Sequence, residues 1–226
     1  RVGQPVVVRD LDALTSWYAD WSSLRVAVLG LGVTGFAAAD TLAELRARVL
    51  VVAAGATQER ADLLSVIGVS LVLQPDPGTV PGELVEFEPE VVIVSPGFRP
   101  DHALIAWARG RGIPIWGDVE LAWRLRDKVG PPGEWITVTG TNGKTTTVQL
   151  ATHLLVTAGY RAVAAGNIGT PVLDAVRDPI GFDALVVELS SFQLHWIPRE
   201  GPGSLMPFSS ACLNVADDHL DWHGSR

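Results

Sequence analysis

Several residue types that mark particular classes of protein are scarce in this chain of 226 residues. Cysteine occurs once, at Cys212, so no disulfide can form within the chain, and a reducing cytoplasm is the simplest setting. No apolar run approaches the roughly 18–20 residues of a membrane span, so we expect no membrane partner. Basic residues are outnumbered, since 17 Lys and Arg against 25 Asp and Glu give a net charge of -8. This balance disfavours nonspecific nucleic-acid binding, which requires a basic surface.

Hydrophobic residues, at 47% of the chain, are abundant enough to form buried cores. In the first half they alternate between short apolar runs and helical patterns. The apolar runs indicate buried parallel strands at 24–29, 49–52, 69–73 and 91–94. The helical patterns occupy 36–45, 58–66, 101–111 and, after a short segment at 114–116, 119–125. This alternation predicts an α/β fold with a doubly wound, Rossmann-like parallel sheet.

A break in the pattern falls at residues 129–133, which read Val-Gly-Pro-Pro-Gly. Two prolines and two glycines without an apolar period are typical of a linker. A second α/β unit begins at Trp135, with expected strands at 136–139, 162–165, 184–188 and 211–215. We therefore predict two domains, residues 1–130 and residues 131–226.

The first glycine-rich turn, at residues 30–35, follows the first strand and reads Gly-Leu-Gly-Val-Thr-Gly. Its glycines allow the backbone to approach a pyrophosphate at a helix N-terminus. A dinucleotide site also needs an acidic residue about 20 positions later, but Ala53 and Ala54 stand there. The loop alone leaves two interpretations open, a bound diphosphate or tight packing of helix against strand.

A second glycine-rich turn, at residues 139–146, reads Thr-Gly-Thr-Asn-Gly-Lys-Thr-Thr between a strand and a helix. The strict Walker pattern would require glycine at Val138, so this is a shortened phosphate loop. Its backbone N–H groups can surround nucleotide phosphates, with Lys144 as the cation and the Thr145 hydroxyl on Mg²⁺. The predicted ATP-binding residues are Gly140, Thr141, Asn142, Gly143, Lys144, Thr145 and Thr146.

Two acidic or histidine-bearing segments follow later strands of the same sheet. Glu188 ends the strand at 184–188, so it should lie at the ligand-binding edge and could hold a metal; the alternative is a solvated carboxylate. His219, in the segment 214–221, could be a metal ligand or a proton donor. His219 and His223 have a spacing that can suit zinc, but two histidines without a third ligand disfavour it. The aspartates around His219 also fit a helix N-terminus.

These motifs resemble the Mur ligase superfamily, and most of all its D-glutamate-adding members. The carrying segments span nearly the whole chain, at residues 30–35, 95–97, 117–121, 139–146, 166–169, 188–194 and 214–221. The resemblance implies that the second domain is a phosphate-loop mononucleotide-binding domain of which only the N-terminal part is present. It also implies that the first domain binds a UDP-linked substrate.

The resemblance further implies a reaction and its residues. ATP would phosphorylate UDP-N-acetylmuramoyl-L-alanine, and the amine of D-glutamate would displace phosphate from the acyl phosphate. Lys144, Glu188 and His219 would be catalytic, and Thr145, Glu188 and His219 would hold Mg²⁺. The implied substrate-binding residues are Val33, Thr34, Gly35, Ser95, Pro96, Gly97, Asn167, Ser190 and Gln193.

The sequence departs from the family pattern in two places. Family members often carry an aspartate for uracil where Ala53 and Ala54 stand, so another group would recognise uridine. A carbamylated lysine and a C-terminal D-glutamate-binding domain do not occur up to Arg226, so we expect this chain alone not to form the amide bond. A sister ligase adding another amino acid and a non-catalytic nucleotide-binding module remain alternatives. The resemblance also implies a monomer.

Overall fold

A computed structural model describes residues 9–224 of the chain. After a short 3₁₀ helix at Leu11–Ala13, the first half forms a five-stranded sheet in the order β3-β2-β1-β4-β5. Every pairing in the sheet is parallel. The strands are β1 (Arg25–Leu29), β2 (Arg48–Ala53), β3 (Ser70–Leu73), β4 (Val91–Val94) and β5 (Ile115–Gly117).

Helices connect these strands on both faces of the sheet. They are α1 (Val33–Glu44), α2 (Gln58–Val66), α3 (Gly82–Phe87), α4 (Ala103–Gly110) and α5 (Asp118–Arg124). Helix α3 was not predicted, because a helix of six residues that begins at a glycine shows no helical apolar period. The other four helices lie where the apolar patterns indicated, with ends shifted by up to three residues.

The second half forms a four-stranded parallel sheet in the order β7-β8-β6-β9. Its strands are β6 (Glu134–Thr139), β7 (Ala162–Gly166), β8 (Ala184–Glu188) and β9 (Ser209–Cys212). Its helices are α6 (Lys144–Thr157), α7 (Val172–Val176), α8 (Ser191–Trp196) and α9 (Leu220–His223). The predicted α/β class with two parallel sheets is confirmed; the boundary at residue 130 stays a prediction.

The last strand ends three residues earlier than the apolar run at 211–215 suggested. Leu213 still donates its N–H to the Thr139 carbonyl (3.0 Å), but the chain then turns toward the loop that follows β6. Val215, which the sequence placed in the strand, is 80% exposed. The polar contacts of Asn214 with that loop, described below, explain why the strand stops.

The two halves share a core and a polar contact. The indole rings of Trp123 and Trp135 pack edge to face at 5.2 Å between centroids. On the surface, the Arg177 guanidinium at the end of α7 lies 2.6 Å from Asp40 and 2.8 Å from Glu44 of α1. These contacts hold the two sheets together through α1, α5 and α7. No helix within residues 9–224 is long and apolar enough to cross a bilayer.

Candidate functional site

The turn between β6 and α6 has the geometry of an anion-binding loop. Gly140 and Gly143 have φ angles of 139° and 84°, a region that side-chain-bearing residues rarely adopt. The turn leads into the 14-residue helix α6, and the N–H groups of the first residues of this helix point toward the turn. Backbone donors and a helix N-terminus therefore converge at this point.

Asn214 fixes the shape of this turn from the neighbouring strand end. Its side-chain oxygen accepts the N–H of Asn142 (2.9 Å), and its side-chain nitrogen donates to the Asn142 carbonyl (2.9 Å). Its backbone carbonyl accepts the N–H of Thr141 (3.0 Å). No role was predicted for Asn214; its place near the end of the apolar run at 211–215, in the same sheet as the turn, was the available signal.

The Lys144 side chain curls back over the turn that precedes it. Its ammonium group donates to the carbonyls of Gly140 (2.7 Å) and Thr141 (3.1 Å). The positive charge is therefore held over the loop, where an anion bound by the loop N–H groups would meet it. The structure thus brings together the loop residues that the sequence predicted, Gly140 to Thr146.

Glu188 stands at the end of β8, paired in register with Val138 of β6. Its two carboxylate oxygens accept hydrogen bonds from the Thr145 hydroxyl (3.0 Å) and the Asn167 side-chain amide (3.0 Å). Glu188 is 2% exposed, and none of the ion pairs found within residues 9–224 involves it. A buried carboxylate without a cationic partner, beside a hydroxyl, fits a Mg²⁺ ion, which prefers oxygen ligands.

A close backbone approach brings Asn167 to this carboxylate. A Cβ atom on Gly166, whose φ is 101°, would lie 2.4 Å from the Glu188 carbonyl oxygen. The absence of a side chain lets the end of β7 pass this close, and the N–H of Asn167 then donates to the same carbonyl (3.0 Å). Asn167 is thereby aligned with Glu188 through both its backbone and its side chain.

A cavity of about 530 Å³ opens above these residues. Thr139, Lys144, Asn167 and Ser190 are among the residues that line it, and His219 lies on its wall. The imidazole of His219 packs on the Phe192 ring at 4.6 Å and is about half exposed. Within residues 9–224, no three His, Cys, Asp or Glu residues cluster as a metal site. A Mg²⁺ ion commonly takes water and phosphate oxygens beside one or two protein ligands, so Thr145 and Glu188 fit such a site.

Gln193, also a predicted substrate-binding residue, lies beneath this cavity. It is 3% exposed, and its side-chain oxygen accepts the N–H of Ser190 (3.1 Å) in a capping box at the start of α8. Its side-chain nitrogen donates to Asp118 (3.0 Å) in the first half. Both ends of its amide are thus bonded within the protein. A direct contact with substrate stays a prediction.

The first glycine-rich turn is assembled by an equally close approach. A Cβ atom on Gly35 would lie 2.1 Å from the Gly30 carbonyl oxygen, and one on Gly30 would lie 2.7 Å from the Ser95 hydroxyl. The segment at 95–97, which holds Ser95, Pro96 and Gly97, follows β4 and so meets the start of α1, where Val33, Thr34 and Gly35 lie. The buried Ser95 hydroxyl has no hydrogen-bond partner among residues 9–224. The structure therefore groups these predicted residues at the edge formed by β1 and β4.

A loop of this shape with a cation, a hydroxyl and a strand-end carboxylate is typical of nucleotide-binding α/β proteins. Residues 138–226 match the family model described as the Mur ligase middle domain. Three curated relatives are UDP-N-acetylmuramoylalanine–D-glutamate ligases. That of Leifsonia xyli is 64% identical over 95% of this chain and 43% of its own length. Those of Tropheryma whipplei and Streptomyces avermitilis are 51% and 47% identical over 96% and 91% of this chain. The chain belongs to the Mur ligase family.

The match covers only part of each relative. The chain spans 43% of the Leifsonia xyli protein, 44% of the Tropheryma whipplei protein and 42% of the Streptomyces avermitilis protein. Among solved structures, a UDP-N-acetylmuramate:L-alanyl-gamma-D-glutamyl-meso-diaminopimelate ligase from Neisseria meningitides superposes with a TM-score of 0.50. The superposition covers 87% of this chain and 62% of the Neisseria meningitides protein, at 19% sequence identity. This similarity therefore shows a shared fold and nothing more.

Proposed function

We propose that this chain is part of an ATP-dependent ligase that joins D-glutamate to UDP-N-acetylmuramoyl-L-alanine in cell-wall precursor synthesis. One observation carries the proposal: the Thr145 hydroxyl and the buried Glu188 carboxylate are in contact at 3.0 Å beside the phosphate loop. The names of relatives that are 47–64% identical supply the substrates. ATP and Mg²⁺ are the cofactors that this arrangement fits.

The reaction proceeds in two steps. The substrate carboxylate attacks the γ-phosphorus of ATP, which releases ADP and forms an acyl phosphate. The amine of D-glutamate then adds to the acyl carbon, and the tetrahedral intermediate expels phosphate as the amide forms. Both steps place negative charge on oxygen atoms near the loop, and Lys144 with the loop N–H groups stabilises it. Thr145 and Glu188 would hold a Mg²⁺ ion, which would supply further charge neutralisation on the phosphates.

The first half holds the UDP group in this proposal. The diphosphate lies at the start of α1, where Val33, Thr34 and Gly35 present N–H groups. The hydroxyl of Ser95, buried and unpaired within residues 9–224, lies against the same turn, where a ligand oxygen would give it a hydrogen-bond partner. Asn167 and Ser190 line the cavity of the second half and would contact the muramoyl part.

Further roles follow from the same proposal. His219, on the cavity wall, would support a second Mg²⁺. The enzyme would work as a monomer in the cytoplasm, where ATP is available. D-Glutamate would bind outside the region that this chain shares with its relatives.

Lys144→Ala tests the proposal directly. We expect wild-type chain to shift the β- and γ-phosphate signals of ATP in ³¹P NMR titrations, a readout that also reports weak binding. Lys144→Ala should abolish the shift, because it removes the only cation held over the loop carbonyls within residues 9–224. UDP-N-acetylmuramoyl-L-alanine, titrated separately by calorimetry, should bind both proteins.

Arg199→Ala is the matched control, since it removes one positive charge from an exposed position of the same half. It should bind ATP as the wild type does. Unchanged ATP binding by Lys144→Ala would remove the loop from the mechanism and contradict the proposal.

A further inference from the structure

We propose that Asp118 is a positioning residue that acts through Gln193 to hold the Glu188 carboxylate beside the phosphate loop. The inference rests on the proposed function and deepens it, because it assigns control of the magnesium-holding group to a residue of the first half. Asp118 begins α5 and does not line the cavity, so its influence must pass through other residues.

A buried hydrogen bond connects the two halves at this point. The Gln193 side-chain nitrogen donates to a carboxylate oxygen of Asp118 (3.0 Å), across 75 positions of sequence. Both residues are 3% exposed, so water cannot easily replace either partner. Loss of the acceptor would leave a buried amide donor unpaired.

The other end of the Gln193 side chain determines the start of α8. Its oxygen accepts the backbone N–H of Ser190 (3.1 Å), and the Ser190 hydroxyl accepts the N–H of Gln193 (3.2 Å). These reciprocal bonds form a capping box, which fixes the angle at which the chain enters a helix. An amide released by Asp118 could rotate and weaken this cap.

One residue, Leu189, separates this cap from the metal-binding carboxylate. The Leu189 N–H donates to the Val138 carbonyl (2.9 Å), and the Leu189 carbonyl accepts a hydrogen bond from the Thr139 hydroxyl (2.9 Å). These two bonds fix the segment from Glu188 to Ser190 against β6. A displacement of Ser190 would strain both of these hydrogen bonds and, through Leu189, the adjoining Glu188, whose oxygens lie 3.0 Å from Thr145 and Asn167.

The C-terminal end of α8 also packs closely against the first half, so the helix has little room to shift if the cap at its start is lost. A Cβ atom on Gly117 would lie 3.0 Å from the Cβ atom of Trp196, the last residue of α8. The helix therefore contacts the corner formed by Gly117 and Asp118 near both of its ends. Movement of one half at this corner changes the position of the other.

Burying the Asp118 carboxylate costs free energy, which indicates that its oxygen is needed as the hydrogen-bond acceptor for Gln193. Burial raises the pKa of Asp118 to about 6, and the Gln193 amide only partly opposes this effect. The second carboxylate oxygen has no hydrogen-bond partner among residues 9–224. An apolar residue would fit this place at lower cost, so the hydrogen bond to Gln193 is the feature that distinguishes Asp118.

Two substitutions of Asp118 distinguish the effect of its hydrogen-bond acceptor from the effect of its negative charge. Asp118→Asn keeps an oxygen for Gln193, whereas Asp118→Leu has a similar shape and no acceptor. The affinity for ATP, measured by ³¹P NMR with and without Mg²⁺, gives the factor by which the metal strengthens binding. We expect Asp118→Asn to keep this factor and Asp118→Leu to lower it roughly tenfold, as for one lost buried hydrogen bond. Metal-free ATP affinity and UDP affinity should not change.

Gln193→Met removes the donor of the same hydrogen bond. This variant is sufficient for the test if Asp118→Leu does not fold. It should lower the magnesium factor similarly, and the double variant should add little. Retention of the wild-type factor by Gln193→Met and any folded Asp118→Leu would overturn the inference. So would an equal loss in Asp118→Asn, or a parallel loss of UDP affinity. If the wild type shows no magnesium factor and Lys144→Ala still binds ATP, the proposed function itself fails.

Discussion

The two glycine-rich turns of this chain occupy equivalent places in their sheets but differ in charge. Each follows a central strand, β1 or β6, and each meets a residue that ends a neighbouring strand or follows it. In the first half that residue is Ser95, a neutral hydroxyl, and in the second half it is Glu188, a buried carboxylate. Both turns have a cation on a loop carbonyl, the Lys144 ammonium at Gly140 and the Arg60 guanidinium at Leu31, so the carboxylate is what distinguishes them.

The two turns share a backbone geometry that suits an anion, and they differ in the side chain that the neighbouring strand brings to them. A loop with N–H groups and a hydroxyl can bind a diphosphate without reacting with it. A loop with an ammonium group and a metal-binding carboxylate can stabilise a phosphoryl group in transfer. The proposed function assigns binding to the first half and reaction to the second in keeping with this division.

The largest expected effect concerns the close packing of the first turn. Gly35→Ala would place a Cβ atom 2.1 Å from the Gly30 carbonyl oxygen, so the strand and helix must separate. We expect the free energy of unfolding to fall by about 3 kcal/mol or more, in urea titrations. Gly32→Ala is the matched control, because its Cβ meets nothing within 4 Å, and it should cost no more than about 1 kcal/mol. Equal effects would show that the turn is not closely packed.

The next effect distinguishes the carboxylate of the second turn from the hydroxyl of the first. Glu188→Gln keeps the shape but removes the charge that a metal requires, so Mg-ATP affinity should fall on the order of 100-fold, about 2.7 kcal/mol. UDP affinity should stay the same, since the first half is unchanged. Glu134→Gln, at the exposed start of β6, is the control for charge. Unaltered Mg-ATP binding in Glu188→Gln would remove the carboxylate from the site.

A smaller effect, on stability, concerns the joint between the halves. The pKa of Asp118 rises from 3.8 to about 6 on folding because the carboxyl group is buried. Between these pH values the folded state retains a proton that the unfolded chain has released, so stability falls as pH rises. Asp118→Asn cannot titrate, so its stability relative to wild type should increase by on the order of 2 kcal/mol from pH 4 to pH 7. Thermal unfolding at several pH values measures this; a difference independent of pH would contradict it.

The smallest effect concerns the hydroxyl of the first turn. Ser95→Ala removes an oxygen that has no partner within residues 9–224, so stability should change by less than about 1 kcal/mol. UDP affinity should fall a few-fold, by roughly one hydrogen bond to a ligand. Calorimetric titration with UDP measures this, and ATP binding is the internal control. A loss of ATP affinity instead would break the division between the two turns.

The sequence was most informative where one local pattern determines the structure. Apolar runs located β1 to β4 and β6 to β8, whereas β5 was not predicted as a strand and β9 was predicted with shifted bounds. The spacing of Gly140, Gly143 and Lys144 located the phosphate loop. The end of an apolar strand was enough to predict that Glu188 faces that loop. These features depend on neighbours within a few residues or on the common edge of a parallel sheet.

The features that the sequence did not reveal depend on tertiary contacts. The bond between Asp118 and Gln193 joins two motifs 75 residues apart, and no periodicity links them. Asn214 turned the chain away from β9 because its side chain bonds to Asn142, which only the folded sheet brings near. The short helix α3 lacked a period long enough to detect. In each case a contact across the fold outweighs the local pattern.

The location of a bound divalent ion tests the central claim most directly. Crystals of this chain grown with ATP and Mn²⁺, a substitute for Mg²⁺, would reveal the metal by anomalous diffraction. We predict a peak between the Thr145 hydroxyl and the Glu188 carboxylate, within coordination distance of both and of a nucleotide phosphate. A nucleotide bound at the loop with its metal away from Glu188 would contradict the account.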